Sequence, residues 1–105
     1  MLTRPVRSGT QVYAKGTDLV ALSAINAGAE CLADGNIHCY GPLRGRALAG
    51  ANGNVNAHIF CESLEAELIA IAGHYLTQDQ IKVPKIKEPL IHIYLKGDKL
   101  QIEGI

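Results

Sequence analysis

The sequence predicts an all-β protein: a three-sided parallel β-helix, capped by a short α-helix and followed by a C-terminal β-hairpin. Two nested periodicities carry that prediction. Between Gly16 and Leu64 all thirteen charged, histidine and asparagine residues sit on even positions, from Asp18 through Asn26, Glu30, Arg44 and Asn54 to Glu62. Placement blind to parity would do this roughly once in four thousand trials, so the pattern is strand alternation with one side buried. Within it Leu19, Ile25, Cys31, Ile37, Leu43, Ala49, Val55 and Cys61 step by six, each followed two residues later by something small. Hairpins would reset the register, yet the alternation crosses every glycine in phase, which describes a chain that coils.

The elements follow in order. Residues 1–6 read as a linker or remnant, 7–82 as the β-helix with its cap, and 83–105 as an extension. Three faces of six residues make a coil of about eighteen, so side chains eighteen apart should stack. The expected interior ladders are Leu19, Ile37, Val55; then Ile25, Leu43, Cys61; with Ala21, Cys39, Ala57 where the coil narrows. Gly35, Gly41 and Gly53 are expected at tight bends. An open coil end leaves backbone unpaired and needs a cap. Ser63 to Gly73 offers a serine N-cap, Glu65 and Glu67 in the first turn, Leu64, Leu68 and Ile71 as the apolar positions, and a terminal glycine, which predicts a short helix. Beyond the prolines at 84 and 89, Leu90–Leu95 and Lys99–Glu103 flank Lys96-Gly97-Asp98 and predict a hairpin.

Composition narrows the function. With 105 residues and ten basic against ten acidic side chains, the chain is one domain with no net field to recruit nucleic acid or an acidic membrane surface. No apolar run spans a bilayer and no signal peptide opens the sequence, so the expected location is cytoplasmic. Cys31, Cys39 and Cys61 are odd in number and lack CxxC spacing, the mark of buried free thiols and not of a zinc site. Glu65 and Glu67 do not share a helix face, so they form no acid–base pair. No nucleophile elbow, P-loop, dinucleotide fingerprint or metal cluster is present, so neither catalysis nor a cofactor is expected.

Even positions sort onto three outward faces. One, with Asp18, Asp34, Asn36, Asn52 and Asn54, is solvated. The second carries Val20, Leu22, Tyr40, His58 and Phe60, an apolar patch expected to be a homodimer interface anchored by Tyr40 and Phe60 unless the helix or hairpin covers it. His38 and His58 are expected there as satisfied interface histidines. The third stacks Asn26, Arg44 and Glu62, with Gly28 beside Arg46 and Leu64, a mixed surface suited to a partner.

Arg7-Ser8-Gly9, Ser23-Ala24-Ile25-Asn26-Ala27-Gly28-Ala29-Glu30, Ala33-Asp34-Gly35-Asn36-Ile37-His38 and Tyr40-Gly41-Pro42-Leu43-Arg44-Gly45-Arg46-Ala47-Leu48-Ala49-Gly50 together resemble the C-terminal domain family of the septum-site-determining protein MinC, from about Arg7 to about Tyr75. The resemblance implies a right-handed coil that dimerises, docks on the ATP-bound membrane ATPase MinD, and helps block assembly of the tubulin-like FtsZ ring away from mid-cell. It implies no enzyme, and contact with the membrane only through MinD. Full-length members carry a further N-terminal domain with no counterpart here, so the resemblance implies part of a longer protein. It assigns Arg7, Ser8, Gly9 and Gly28 to MinD and Arg46 and Leu68 to the FtsZ tail. Thr10 departs from the glutamine usual in the family. Two rival readings are a hexapeptide-repeat acyltransferase and a self-assembling β-helical scaffold. The first fits Ser23, Ala29 and Ala47 but lacks its usual glycine after the aliphatic position, where Val20, Asn26, Leu32, His38 and Arg44 stand.

Overall fold

A computed structural model describes residues 1–105 and shows stacked coils of strand with no helical residue. The strands are β1 (Gln11–Ala14), β2 (Leu19–Ala21), β3 (Glu30–Ala33), β4 (Ile37–Leu43), β5 (Arg46–Ala49), β6 (Ile59–Leu64), β7 (Leu68–Ile71), β8 (His74–Thr77), β9 (Ile91–Lys96) and β10 (Lys99–Gly104). They form two five-stranded sheets, ordered β1-β3-β5-β7-β8 and β10-β9-β6-β4-β2. Each coil therefore gives one strand to each sheet, as a three-sided parallel β-helix requires. The third side is a ladder of single residues, Val6 beside Ile25, Ile25 beside Leu43 and Leu43 beside Leu64.

The interior is filled by inward residues of all three sides, among them Ile25, Ile37, Leu43, Ile59, Ile69, Cys31, Cys39 and Cys61, every one without solvent contact. Small buried residues such as Ala21, Ala33, Ala47 and Ala57 complete this core. The coil is less even than a hexapeptide repeat. Leu19 opposes Ile37, eighteen residues on, but Ile37 opposes Ile59, twenty-two on. The added residues widen the turn after Gly50, where the Asn56 N–H donates to Asn54 Oδ1 at 3.0 Å. Val55, expected inside, is consequently 54% exposed and Ile59 takes its place. In the same way Cys61 stacks on Cys39, and Leu64 replaces it above Leu43. Leu64 is thus interior and leaves the surface the alternation assigned to it. Gly41 lies within β4, at a register slip, where a Cβ would stand 2.8 Å from the Ser23 carbonyl carbon.

Both ends differ from expectation. Residues 1–6 are part of the first coil: Leu2 and Val6 bond to Val20, Leu22, Ala24 and Asn26, and Val6 is buried. The capping helix expected over Ser63–Gly73 is absent. Its residues continue the coil, with Leu64 and Ala66 inward and Leu68–Ile71 forming β7 against β5. The exposed β5 edge offers a full ladder of backbone partners, whereas a helix of about ten residues is marginal by itself. β8 then folds back antiparallel on β7. The segment from Gln78 to Leu90 packs Ile81 and Ile86 against the core, and β9 joins β6 antiparallel with β10 beyond it. These elements close the coil end in place of a helix.

Candidate functional site

The positions singled out at the start of the coil gather at one corner. Arg7-Ser8-Gly9 forms a tight turn, with the Thr10 N–H donating to the Arg7 carbonyl at 3.0 Å and Gly9 at φ 86°. One coil later, the Gly28 carbonyl accepts the Gly9 N–H at 2.9 Å. Gly28 has φ 81°, a conformation that favours glycine, and a Cβ there would displace the Ser8 hydroxyl. Arg7 makes no side-chain bond within the chain and stays exposed.

Below this turn lies a polar groove of about 310 Å³ lined by Gly9, Gln11, Gly28, Glu30, Arg46 and Glu67. Parallel pairing of β1, β3 and β5 sets Gln11 beside Glu30 and Glu30 beside Arg46. The Gln11 amide donates to Glu30, whose other oxygen lies 4.0 Å from the Arg46 guanidinium. That exposed ion pair contributes less than about 1 kcal/mol, leaving Arg46 free to exchange partners. Strand register thus gives Arg46 the partner Glu30. Glu67 accepts the Gly28 N–H at 2.8 Å, and its neighbour Leu68 stands opposite Arg46 in the β5–β7 ladder. Ser8, Gly9, Gly28, Arg46 and Leu68 therefore occupy one surface. The sequence reading does not include Glu30 and Glu67 in this surface; it places Glu67 in the first turn of a helix, whereas the residue stands at the bend that leads into β7.

A second surface is the outward side of the β2-β4-β6-β9-β10 sheet. Val20, Leu22, Tyr40, His58 and Phe60 lie on it or at its margin, with Leu22 44% and Tyr40 41% exposed. The hairpin extends this sheet and does not cover it. It also adds His92 and Tyr94, which the residue sorting omitted although the alternation of Leu90–Leu95 places them outward. Rings stack across the strands: His38 on Phe60 at 5.0 Å, Phe60 on His92 at 4.8 Å and His92 on Tyr94 at 4.8 Å. On the remaining side Arg44 reaches Asn26 at 3.4 Å.

Elsewhere the polar groups serve the fold. Asp34 accepts the Tyr13 hydroxyl at 2.6 Å and the Gly16 N–H at 2.7 Å, bonds that hold its carboxyl below the usual range. The Asp18 carboxylate accepts the Asn36 N–H at 2.7 Å, joining successive turns. No buried side-chain polar atom lacks a partner, and no group of three potential metal ligands converges. No helix is long and apolar enough to cross a membrane.

The chain and its fold are similar to known proteins. A family model described as septum formation inhibitor MinC, C-terminal domain, matches residues 1–105. The chain is 56% identical over its whole length to a probable septum site-determining protein MinC of Chromobacterium violaceum, covering 44% of that protein. It is 51% identical over 97% of its length to one of Ectopseudomonas mendocina, covering 42%. It thus spans less than half the length of the curated relatives it matches. A chain of the MinC:MinD cell division protein complex of Aquifex aeolicus is similar in structure, with TM-score 0.85 and 29% identity, over 99% of this chain and 83% of that one.

Proposed function

The chain belongs to the family of C-terminal domains of the septum formation inhibitor MinC, and on that premise we propose that it is the dimerising and docking part of a division-site regulator. It recruits by binding and carries out no catalysis. The corner built from Arg7, Ser8, Gly9 and Gly28 docks on ATP-bound MinD. Arg46 and Leu68 grip the FtsZ tail beside it, and the aromatic sheet face joins two copies. The domain works in the cytoplasm and meets the membrane only through MinD, keeping FtsZ rings from forming away from mid-cell.

One observation carries the reading: Ser8 packs on Gly28, whose N–H is held by Glu67, the neighbour of Leu68. Residues sixty positions apart in sequence thereby form a single surface. The likeness to a chain from a MinC:MinD complex supports MinD as the partner. The test is co-sedimentation with MinD on lipid vesicles, expected in ATP and absent in ADP. Arg7→Ala, which removes no side-chain hydrogen bond or ion pair within the chain, and Gly28→Asp should each reduce sedimentation about tenfold or more. If both sediment like the parent, the corner is not the docking site. Leu68→Glu should weaken binding of an FtsZ tail peptide while sparing MinD recruitment.

A further inference from the structure

The aromatic face carries more than apolar area. Register aligns Val20, His38, Phe60, His92 and Glu103 in a single row across β2, β4, β6, β9 and β10. Beside the row, His58 Nδ1 stands 2.7 Å from His92 Nε2, and the two rings are 4.9 Å apart. The His58 backbone N–H is fixed by Asn36 Oδ1 at 2.7 Å, so the pair is held in place. We propose that this face is a proton-gated dimer seam, in which protonation of the His58–His92 pair on both copies drives the copies apart. The proposal rests on the seam assigned in the preceding subsection and adds its regulation.

The chemistry follows from the pair. At 2.7 Å one facing nitrogen must carry hydrogen and the other a lone pair. The pair can hold one extra proton, but a second sets N–H against N–H and two cations side by side. A two-fold seam presents the same groups from both copies, so each added charge also meets its own duplicate in a desolvated layer. The other titratable groups facing the pair are His38 and Tyr40 on β4, Tyr94 on β9 and Glu103 on β10. Tyr40 lies 3.5 Å from His38 Nδ1, and Tyr94 donates to Glu103 at 3.2 Å. Glu103 is the carboxylate that opposes the effect, and its bond to Tyr94 engages part of its accepting capacity. Burial first, then His58, holds His92 below the ordinary histidine range, with Glu103 acting in the other direction. Association buries the pair further and disfavours its charged form, so the dimer binds protons less tightly than the monomer and weakens as pH falls.

Sedimentation equilibrium of the 105-residue chain between about pH 7.5 and about pH 5.5 tests this. The dimer dissociation constant should rise about tenfold or more on acidification, with an unchanged circular dichroism spectrum. His58→Gln/His92→Gln should dimerise with a flat pH profile, and acid dissociation retained in that variant overturns the assignment to this pair. A flat wild-type profile, with Phe60→Asp monomeric at the higher pH, overturns the gate and leaves the seam standing. A dimeric Phe60→Asp overturns the seam, and the gate with it. Should the glutamine variant fail to fold, the histidine C–H resonances of the wild type supply the same decision. The His92 resonance must shift in the window where the dimer dissociates, and dissociation outside it refutes the proposal.

Discussion

Ile37 lies between Leu19 and Ile59 on the ladder of one sheet and has no solvent contact. Replacing it with alanine should cost about 2 to 5 kcal/mol in urea unfolding, because a tightly filled coil cannot collapse into the space. Val55→Ala, eighteen residues on and half exposed, should change stability by less than about 0.5 kcal/mol. The pair of measurements separates the true ladder from the arithmetic one. Cysteine chemistry follows the same burial. Loss of water pushes the Cys31 and Cys39 thiols up to about 11 and Cys61 up to about 12. At about pH 8 all three should resist a thiol reagent in the folded protein and react at once in denaturant. Parity alone identified these three as inward, since a side-chain period of two is local. Which residue each one touches was not local, and depended on how wide each turn is.

Strand β7 shows how tertiary pairing overrides a local signal. Ser63 to Gly73 has the residues of a capped helix, yet the unpaired edge of β5 is satisfied by Leu68–Ile71 as a strand. The β-branched Ile69 and Ile71 fit that pleat, and both are fully buried. Far-UV circular dichroism should therefore contain no helical component. Ile69→Pro should abolish cooperative folding, because β7 is paired on both sides and proline removes a ladder donor. Were the segment a peripheral helix, the same change would leave the strand signal intact. The hairpin β9–β10 was legible from its turn and alternation. Its attachment to β6 was not, since no local pattern says which edge a strand will meet.

At the scale of the molecule, the coil is a stack whose ends must be closed. Truncation after Thr77 would remove Ile81, Ile86, Ile91 and Ile93 from the core and leave the edge of β6 open. Such a chain should aggregate and lose its cooperative thermal transition, whereas the complete one should unfold in a single step. The same closure makes the aromatic face, because β9 brings His92 and Tyr94 beside His58 and Phe60. By itself the sequence determined the all-β coil and most of its inward and outward sets, because alternation and the six-residue step are properties of neighbours along the chain, while the corner from Arg7 to Gly28 was suggested only by the resemblance of those segments to a family. Only the tertiary structure decided the coil register, the strand identity of Leu68–Ile71, and the meeting of Glu67 with Gly28 and of His58 with His92. Those outcomes depend on turn widths and on which backbone edge is left unpaired, and both are settled by packing across coils.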